Sequence, residues 1–243
     1  MPTLCIPARL GSTRLPRKVL LDLSGKPVVQ HVWEQAKKVK QATRIVILTD
    51  AEEVAQIARG FGAEVIMTSP DCPSGTARIA SILDQLPGEF FLNIQGDEPF
   101  IEPELLDQLI SRWKETRCHL VTAISKITTA ARLQSPSVVK VVRAENGEAI
   151  YFSRSPIPFL RSVEIGEWVK QRDYWSHIGV YGYDRATLAG YAKLSSTELE
   201  VAESLEQLRF LAHGITFQTV VTQYHPIAID TAEDLEAARK LIK

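Results

Sequence analysis

Apolar positions along this chain follow two periods in turn. Leu4-Cys-Ile6 predicts a short strand, and a polar loop runs from Pro7 to Lys18. Val28, Val32, Ala36 and Val39 share one face of a helix over Val28–Val39, with Pro27 near its first turn. Ile45-Val-Ile-Leu48 is a continuous apolar run that predicts a buried strand. Glu53–Phe61 reads as a helix that stops near Gly60 and Gly62, and Glu64–Met67 as a third strand. A helix over Ser74–Leu86 and a fourth strand at Phe90–Ile94 follow. Strands apolar on both faces, alternating with helices, predict parallel pairing in an open α/β sheet. Ligands of such sheets bind beyond the carboxyl ends of the strands. That directs attention to the loops after Ile6, Met67 and Ile94.

After a helix over Pro103–Glu115 the segments shorten. Leu120–Ser125, Val138–Val142 and Ala149–Phe152 predict short strands, with hairpin-type turn chemistry at Glu145-Asn-Gly147. Ser155–Phe159 and Val163–Tyr174 read as an irregular excursion, and Ile178–Tyr183 as a returning strand. A long amphipathic helix over Glu198–His213, a strand at Thr216–Val221 and a closing helix at Ala232–Ile242 complete the pattern. Together they predict one three-layer domain with a smaller lobe inserted at roughly 125–195.

At 243 residues the chain is too short for several independent domains. Its 28 Lys+Arg and 29 Asp+Glu give a formal charge of −1, so no global field draws it to duplex nucleic acid or an anionic membrane. Any anion must be held by a local cluster. No stretch is apolar enough to span a bilayer, and Met1-Pro-Thr-Leu-Cys5 opens as a strand rather than a basic-then-apolar leader. Cys5, Cys72 and Cys118 are odd in number and not in C-x-x-C spacing, which predicts reduced thiols in a cytoplasmic protein.

Three segments carry candidate chemistry. The first loop packs Arg9, Arg14, Arg17 and Lys18 around Gly11-Ser12, where backbone amides can form an anion-binding concavity. Read blandly this is a solvated basic loop; its place after a strand favours phosphate binding. It matches neither the G-x-x-x-x-G-K-[ST] loop nor G-x-G-x-x-G, so ATPase and dinucleotide readings lose support. Gln95-Gly-Asp-Glu-Pro99 places Asp97 and Glu98 after the fourth strand, facing that loop. Carboxylates opposite a polyphosphate site need a cation between them, and oxygen ligands select Mg²⁺. Asp230 is ambiguous: local sequence favours it or Thr231 as the cap of the last helix, with Glu233 or Asp234 completing a capping box, and it can also be a second metal carboxylate. Ser74-Gly-Thr76 opens a helix and can cap it or receive a ligand. His177, Arg154 and Glu206-Gln207 stand near the irregular lobe, although a solvated helix face with a Glu206–Arg209 pair explains the last equally well. No H-E-x-x-H or G-x-S-x-G is present.

In order along nearly the whole chain, these residues resemble one family, the 3-deoxy-manno-octulosonate (Kdo) cytidylyltransferases or CMP-Kdo synthetases. The resemblance rests on Ile6-Pro-Ala-Arg-Leu-Gly-Ser-Thr-Arg-Leu-Pro-Arg-Lys18, Ser74-Gly-Thr76, Asn93-Ile-Gln-Gly-Asp-Glu-Pro99, Val138-Val-Lys-Val-Val142, Tyr151-Phe-Ser-Arg154, His177-Ile-Gly-Val-Tyr181, Leu205-Glu-Gln-Leu-Arg209 and Asp230-Thr-Ala-Glu-Asp-Leu235. The first and third are shared loosely with other sugar nucleotidyltransferases. The Tyr-Phe-Ser-Arg, His-Ile-Gly and Leu-Glu-Gln-Leu-Arg set is the more specific.

The resemblance implies a single domain over residues 1–243 with a nucleotide-diphospho-sugar transferase-like α/β/α fold. Its sheet would be mixed but mostly parallel, and its inserted lobe would serve sugar binding and dimerisation. It implies CTP and Kdo as substrates, CMP-Kdo and pyrophosphate as products, a place in lipopolysaccharide biosynthesis, Mg²⁺ as cofactor and a homodimer. Arg9, Lys18 and Asp97 would be catalytic. Pro7, Ala8, Arg9, Gly11, Ser12, Arg14, Lys18, Ser74 and Gln95 would form the nucleotide site. Arg154, His177, Glu206 and Gln207 would contact the sugar, and Asp97 with Asp230 would hold the metal. Where the family has an acid before Arg78, a basic residue before His177 and an Asn before Val138, this chain has Ala77, Ser176 and Ser137. Those differences keep an 8-amino Kdo analogue in view, alongside sialic acid as a rival sugar. A non-catalytic nucleotide sensor and a nicotinamide oxidoreductase are the readings from other classes.

Overall fold

The computed structural model describes residues 1–11 and 15–242. Eleven strands are formed among them: β1 Pro2–Pro7, β2 Asp22–Leu23, β3 Lys26–Pro27, β4 Arg44–Thr49, β5 Glu64–Met67, β6 Phe90–Asn93, β7 Leu120–Lys126, β8 Lys140–Arg143, β9 Ala149–Ser153, β10 Trp175–Asp184 and β11 Phe217–Thr222. The α-helices are α1 Val28–Ala36, α2 Glu52–Gly60, α3 Gly75–Ala80, α4 Pro103–Thr116, α5 Ala130–Gln134, α6 Trp168–Gln171, α7 Arg185–Gly190, α8 Glu198–Glu203, α9 Gln207–Ala212 and α10 Ala232–Leu241.

The main sheet runs β11-β7-β10-β6-β1-β4-β5. Strand β1 pairs in parallel with β4 and β6, β4 with β5, and β7 with β11. Strand β10 lies antiparallel between β6 and β7, so the sheet is mixed. Both faces are covered, which explains the unbroken apolar runs. In β1, Leu4 and Ile6 pack with Val32 of α1, Val54 of α2 and Leu106 of α4. Cys5 points the other way, toward Ile79 of α3, Leu188 of α7 and Phe210 of α9. Each such aliphatic side chain contributes roughly 1.5–3 kcal/mol when fully buried. A hairpin of β8 and β9 joins the sheet through Trp175↔Val141 and Ser176↔Lys140. Beside it Ile127, Leu133, Trp168 and Tyr174 form a small separate core.

Several expectations are corrected. The helix expected over Ser74–Leu86 ends at Ala80, and Leu83–Gln85 is a separate 3₁₀ turn. The helix expected over Glu198–His213 is broken at Ser204, whose φ of 51° is left-handed. Arg209 therefore reaches back across the break to Glu200 at 2.6 Å instead of pairing with Glu206. His177 lies inside β10 rather than before it, and β8 begins at Lys140 rather than Val138. The β2–β3 hairpin turns through Ser24 (φ 55°) and Gly25 (φ 87°), both in the range a two-residue primed turn demands.

Candidate active site

Loops after β1 and β6 meet the N-terminus of α3 at the carboxyl edge of the sheet. Pro7, Arg9, Lys18, Ser74, Gln95 and Asp97 line the cleft between them. Gly96 is needed for that meeting, because a Cβ there would sit 2.7 Å from the Pro7 carbonyl oxygen. The glycine thus lets the two loops touch each other. Ser74 caps α3, its Oγ accepting from the Ala77 N–H at 3.1 Å.

Lys18 is the centre of charge. Its ammonium contacts Asp97 Oδ2 and donates to Asp230 Oδ1 at 2.9 Å. Burial opposes its charge, but the Asp97 and Asp230 carboxylates outweigh that and hold its pKa above the ordinary lysine value. The ambiguity at Asp230 resolves through its neighbour. Thr231 caps α10, accepting from Asp234 N at 3.2 Å, while Asp234 Oδ2 accepts from Thr231 N at 2.9 Å. With the box closed by Thr231 and Asp234, the Asp230 carboxylate faces Lys18. Glu98 does not join it: the side chain is buried near Tyr224 and pushed up to about 8 by burial and by Asp97.

Of the other loop residues, Arg17 turns away to pair with Glu53 on α2. Ala8 belongs to the core, fully buried, with its N–H donating to the Leu48 carbonyl at 2.8 Å. Gly11 is exposed and does not line the cleft. Ser12 and Arg14 lie outside the described residues.

A second groove adjoins the first. It is lined by Arg132, Ser137, Ser176, His177, Tyr181, Glu206 and Gln207. Two hydrogen bonds cross between them. Gln95 Nε2, in the cleft, donates to the Gly179 carbonyl, in the groove, at 3.1 Å. Ser74 Oγ donates to Glu206 Oε1 at 2.8 Å. Glu206 also accepts from Tyr191 OH at 2.5 Å and from Thr76 Oγ1 at 3.2 Å. It can do so because the break at Ser204 turns Glu206 inward at the start of α9.

Arg154 is not on this wall. Its Nε donates to the Glu203 carbonyl at 2.7 Å and its Nη1 to the Pro136 carbonyl at 2.9 Å. It therefore caps the C-terminus of α8, whose last carbonyls need donors, and ties that helix to the loop before β8. Lys140, fully buried, braces the same loop through the Ser135 carbonyl at 2.9 Å and the Val138 carbonyl at 2.6 Å. Burial, helped by the nearby Arg154 charge, holds its pKa below the usual lysine value.

His177 packs edge-on against Phe152, 5.1 Å between ring centroids, and its pKa is pushed down to about 3 by burial. Its Nε2 lies 2.9 Å from Thr122 Oγ1. The single Thr122 hydroxyl proton goes to the Val180 carbonyl at 2.8 Å, so His177 is the donor and its neutral ring carries the proton on Nε2. The unfolded chain binds a proton here near pH 6.5, and the folded chain does not until about pH 3. Stability from this site is thus complete above pH 6.5 and is lost progressively as pH falls through that window. Imidazole nitrogen shifts of His177 are expected to stay constant from about pH 5 to 8. A ring titrating near its ordinary value would contradict this burial.

Arg78 also lines the cleft. It is 2% exposed, donates to Asp50 Oδ2 at 2.9 Å and bonds Thr68 Oγ1 and the Ser69 carbonyl. One guanidinium thereby joins α3 to the ends of β4 and β5, with Ala77 beside it making no demand on it. Arg78→Met is expected to cost about 3 kcal/mol in urea unfolding, since it strands a partly buried carboxylate. A loss under about 0.5 kcal/mol would mean that water replaces the guanidinium without strain.

The comparisons with known proteins bear on this arrangement. The cytidylyltransferase family model matches residues 3–218. A 3-deoxy-manno-octulosonate cytidylyltransferase of Thermodesulfovibrio yellowstonii is 43% identical, covering 100% of this chain and 98% of its own. The chain belongs to the 3-deoxy-manno-octulosonate cytidylyltransferase family. A member from Actinobacillus pleuropneumoniae serotype 7 is 41% identical over 99% of this chain and 98% of its own. A solved CMP:2-keto-3-deoxy-manno-octonic acid synthetase, complexed with CTP, superposes with a TM-score of 0.93 at 38% identity, covering 99% and 98% of the two chains. A cytidylyltransferase from Leptospira borgpetersenii, 18% identical with a TM-score of 0.66 over 99% of this chain and 86% of its own, shares the fold. The α/β nucleotidyltransferase architecture of the family is thus the one built here.

Proposed function

We propose that this chain transfers CMP from CTP to the anomeric hydroxyl of Kdo. What supports the reading is the pair of adjoining pockets, one with cations at a strand end and one walled by polar groups, linked by the Ser74–Glu206 and Gln95–Gly179 hydrogen bonds. CTP would occupy the cleft and the sugar acid the groove. The sugar oxygen forms a bond to the α-phosphorus as the bond from that phosphorus to the bridging oxygen breaks. Pyrophosphate leaves, and the hydroxyl proton passes to solvent. No protein nucleophile is required. Arg9 and Lys18 supply positive charge at the phosphates, and the shared wall holds both reactants in line.

Mg²⁺ fits the residues present. Asp97 and Asp230 already share one cation, the Lys18 ammonium, and two carboxylates are a usual protein contribution to a Mg²⁺ shell completed by phosphate and water oxygens. These two side chains would hold the ion, which supplies charge neutralisation at the triphosphate. A homodimer is part of the same reading: β9 pairs on one side only, with β8, and Ile150 on it is 59% exposed. So are a cytoplasmic location, in keeping with three free thiols, and a role in supplying activated sugar for lipopolysaccharide.

The test is pyrophosphate release by the purified chain with CTP, Mg²⁺ and, separately, Kdo, its 8-amino analogue and N-acetylneuraminate. Release with Kdo at the highest specificity constant is the expected result. Preference for another of the three would keep the chemistry and move the substrate. Tight CTP binding with no release would replace the enzyme by a nucleotide sensor.

A further inference from the structure

The groove proposed for the sugar acid presents an electrostatic problem. Its occupant brings a carboxylate, yet Glu206 stands on the wall and His177 is neutral. Ser176 is buried and turns its hydroxyl to Ser125, whose Oγ lies 3.0 Å away. Lys140 and Arg154 are near, but they sit behind the wall with their donors on backbone carbonyls.

Arg132 differs from both. Among the described residues it is the one cation lining the groove. It is exposed, and its guanidinium makes no hydrogen bond or ion pair with any described residue. Its backbone is nonetheless fixed. Thr129 caps α5 by accepting from Arg132 N at 3.3 Å, and the next residue, Leu133, is fully buried in the small core with Trp168 and Tyr174. Leu133 anchors the helix inward while Arg132 stands on the groove side. A planar fork on a fixed backbone, with unused donors, suits bidentate capture of a carboxylate.

We propose that Arg132 is the residue that recognises the carboxylate of the acidic sugar. This rests on the reading of the groove as the sugar site, so the experiment separates the two. Steady-state pyrophosphate release is measured for the wild type, Arg132→Gln and Arg132→Lys, with Kdo, N-acetylneuraminate and the C1-amide of Kdo. The expected result is a rise of about tenfold to a hundredfold in KM for the acid in Arg132→Gln, with KM for CTP unchanged. Arg132→Lys recovers part of the loss, and the neutral amide is used equally poorly by wild type and Arg132→Gln. If the wild type turns over the acid and Arg132→Gln does so with the same KM, or if the amide suffers the same loss as the acid, Arg132 is not the carboxylate anchor and the function stands. If the wild type turns over neither acid, the sugar reading and this inference both fall.

Discussion

Replacing Asp97 with Asn is expected to lower kcat by about 10²–10³-fold while the chain stays folded. The two side chains have the same shape, so packing at the edge of β6 is kept. What changes is charge. Asp97 and Asp230 converge on Lys18, with side-chain exposures of 19%, 30% and 15%, so this is a half-sheltered site in which one carboxylate cannot be replaced by bulk water. With Asn, Lys18 retains only the Asp230 contact, and a divalent cation held as proposed would lose one of its two anionic ligands. The measurement is kcat at saturating CTP across a Mg²⁺ titration, beside a thermal melt. A rate equal to wild type at saturating Mg²⁺ would remove Asp97 from the metal site, whatever the melt shows.

The second large effect is expected at Glu206. Three hydroxyls donate to one carboxylate, and one of them belongs to the residue that caps α3 in the neighbouring cleft. Glu206→Ala leaves Ser74, Thr76 and Tyr191 without that acceptor. It is expected to cost about 3 kcal/mol of stability, the hydrogen bonds to a charged group being non-additive. The functional signature is the sharper test. If Glu206 joins the two pockets, Glu206→Gln weakens CTP binding in the absence of sugar by about tenfold and raises the sugar KM as well. Calorimetric CTP titration of the variant without sugar measures this. Unchanged CTP affinity would reduce Glu206 to a contact of the groove alone.

Much of this was readable in the residues, for identifiable reasons. Buried parallel strands such as β1, β4 and β6 leave continuous apolar runs that no surface requirement interrupts, and the cleft follows from where they end. Arg9, Lys18, Asp97, Ser74 and Gln95 lie in the segments those ends dictate. The break at Ser204 was hidden, because apolar spacing continues across it and neither Gly nor Pro marks it; with it went the true partners of Glu206 and Arg209. Local chemistry at Asp230 favours a cap, and only the tertiary placement of Lys18 separates it from Thr231. The sugar contact that the resemblance implies for Arg154 is not formed along the groove wall, because its donors go to the end of α8, and nothing in a sequence announces that a helix end nearby lacks donors. Arg132 sits in a five-residue helix inside the irregular region, outside every motif, and only the shape of the groove brings it forward.

The register shift in β10 has a consequence for how such an enzyme can diversify. Between Ile178 and Tyr181 the strand advances three residues while β7 advances one, from Ala123 to Thr122, so β10 carries two extra residues. An even surplus leaves every later side chain on its own face, and Tyr183 still meets the core opposite Leu120. Upstream of the shift β10 pairs with β7 and β8 and bears Ser176 and His177; downstream it stays paired with β7 and gains β6, the strand that leads to Asp97. The register shift is therefore a natural splice point. Under the proposed function, exchanging the segment before it together with the β8–β9 hairpin would alter the groove lined by Ser176 and His177 and leave the cleft of Lys18 and Asp97 as it is.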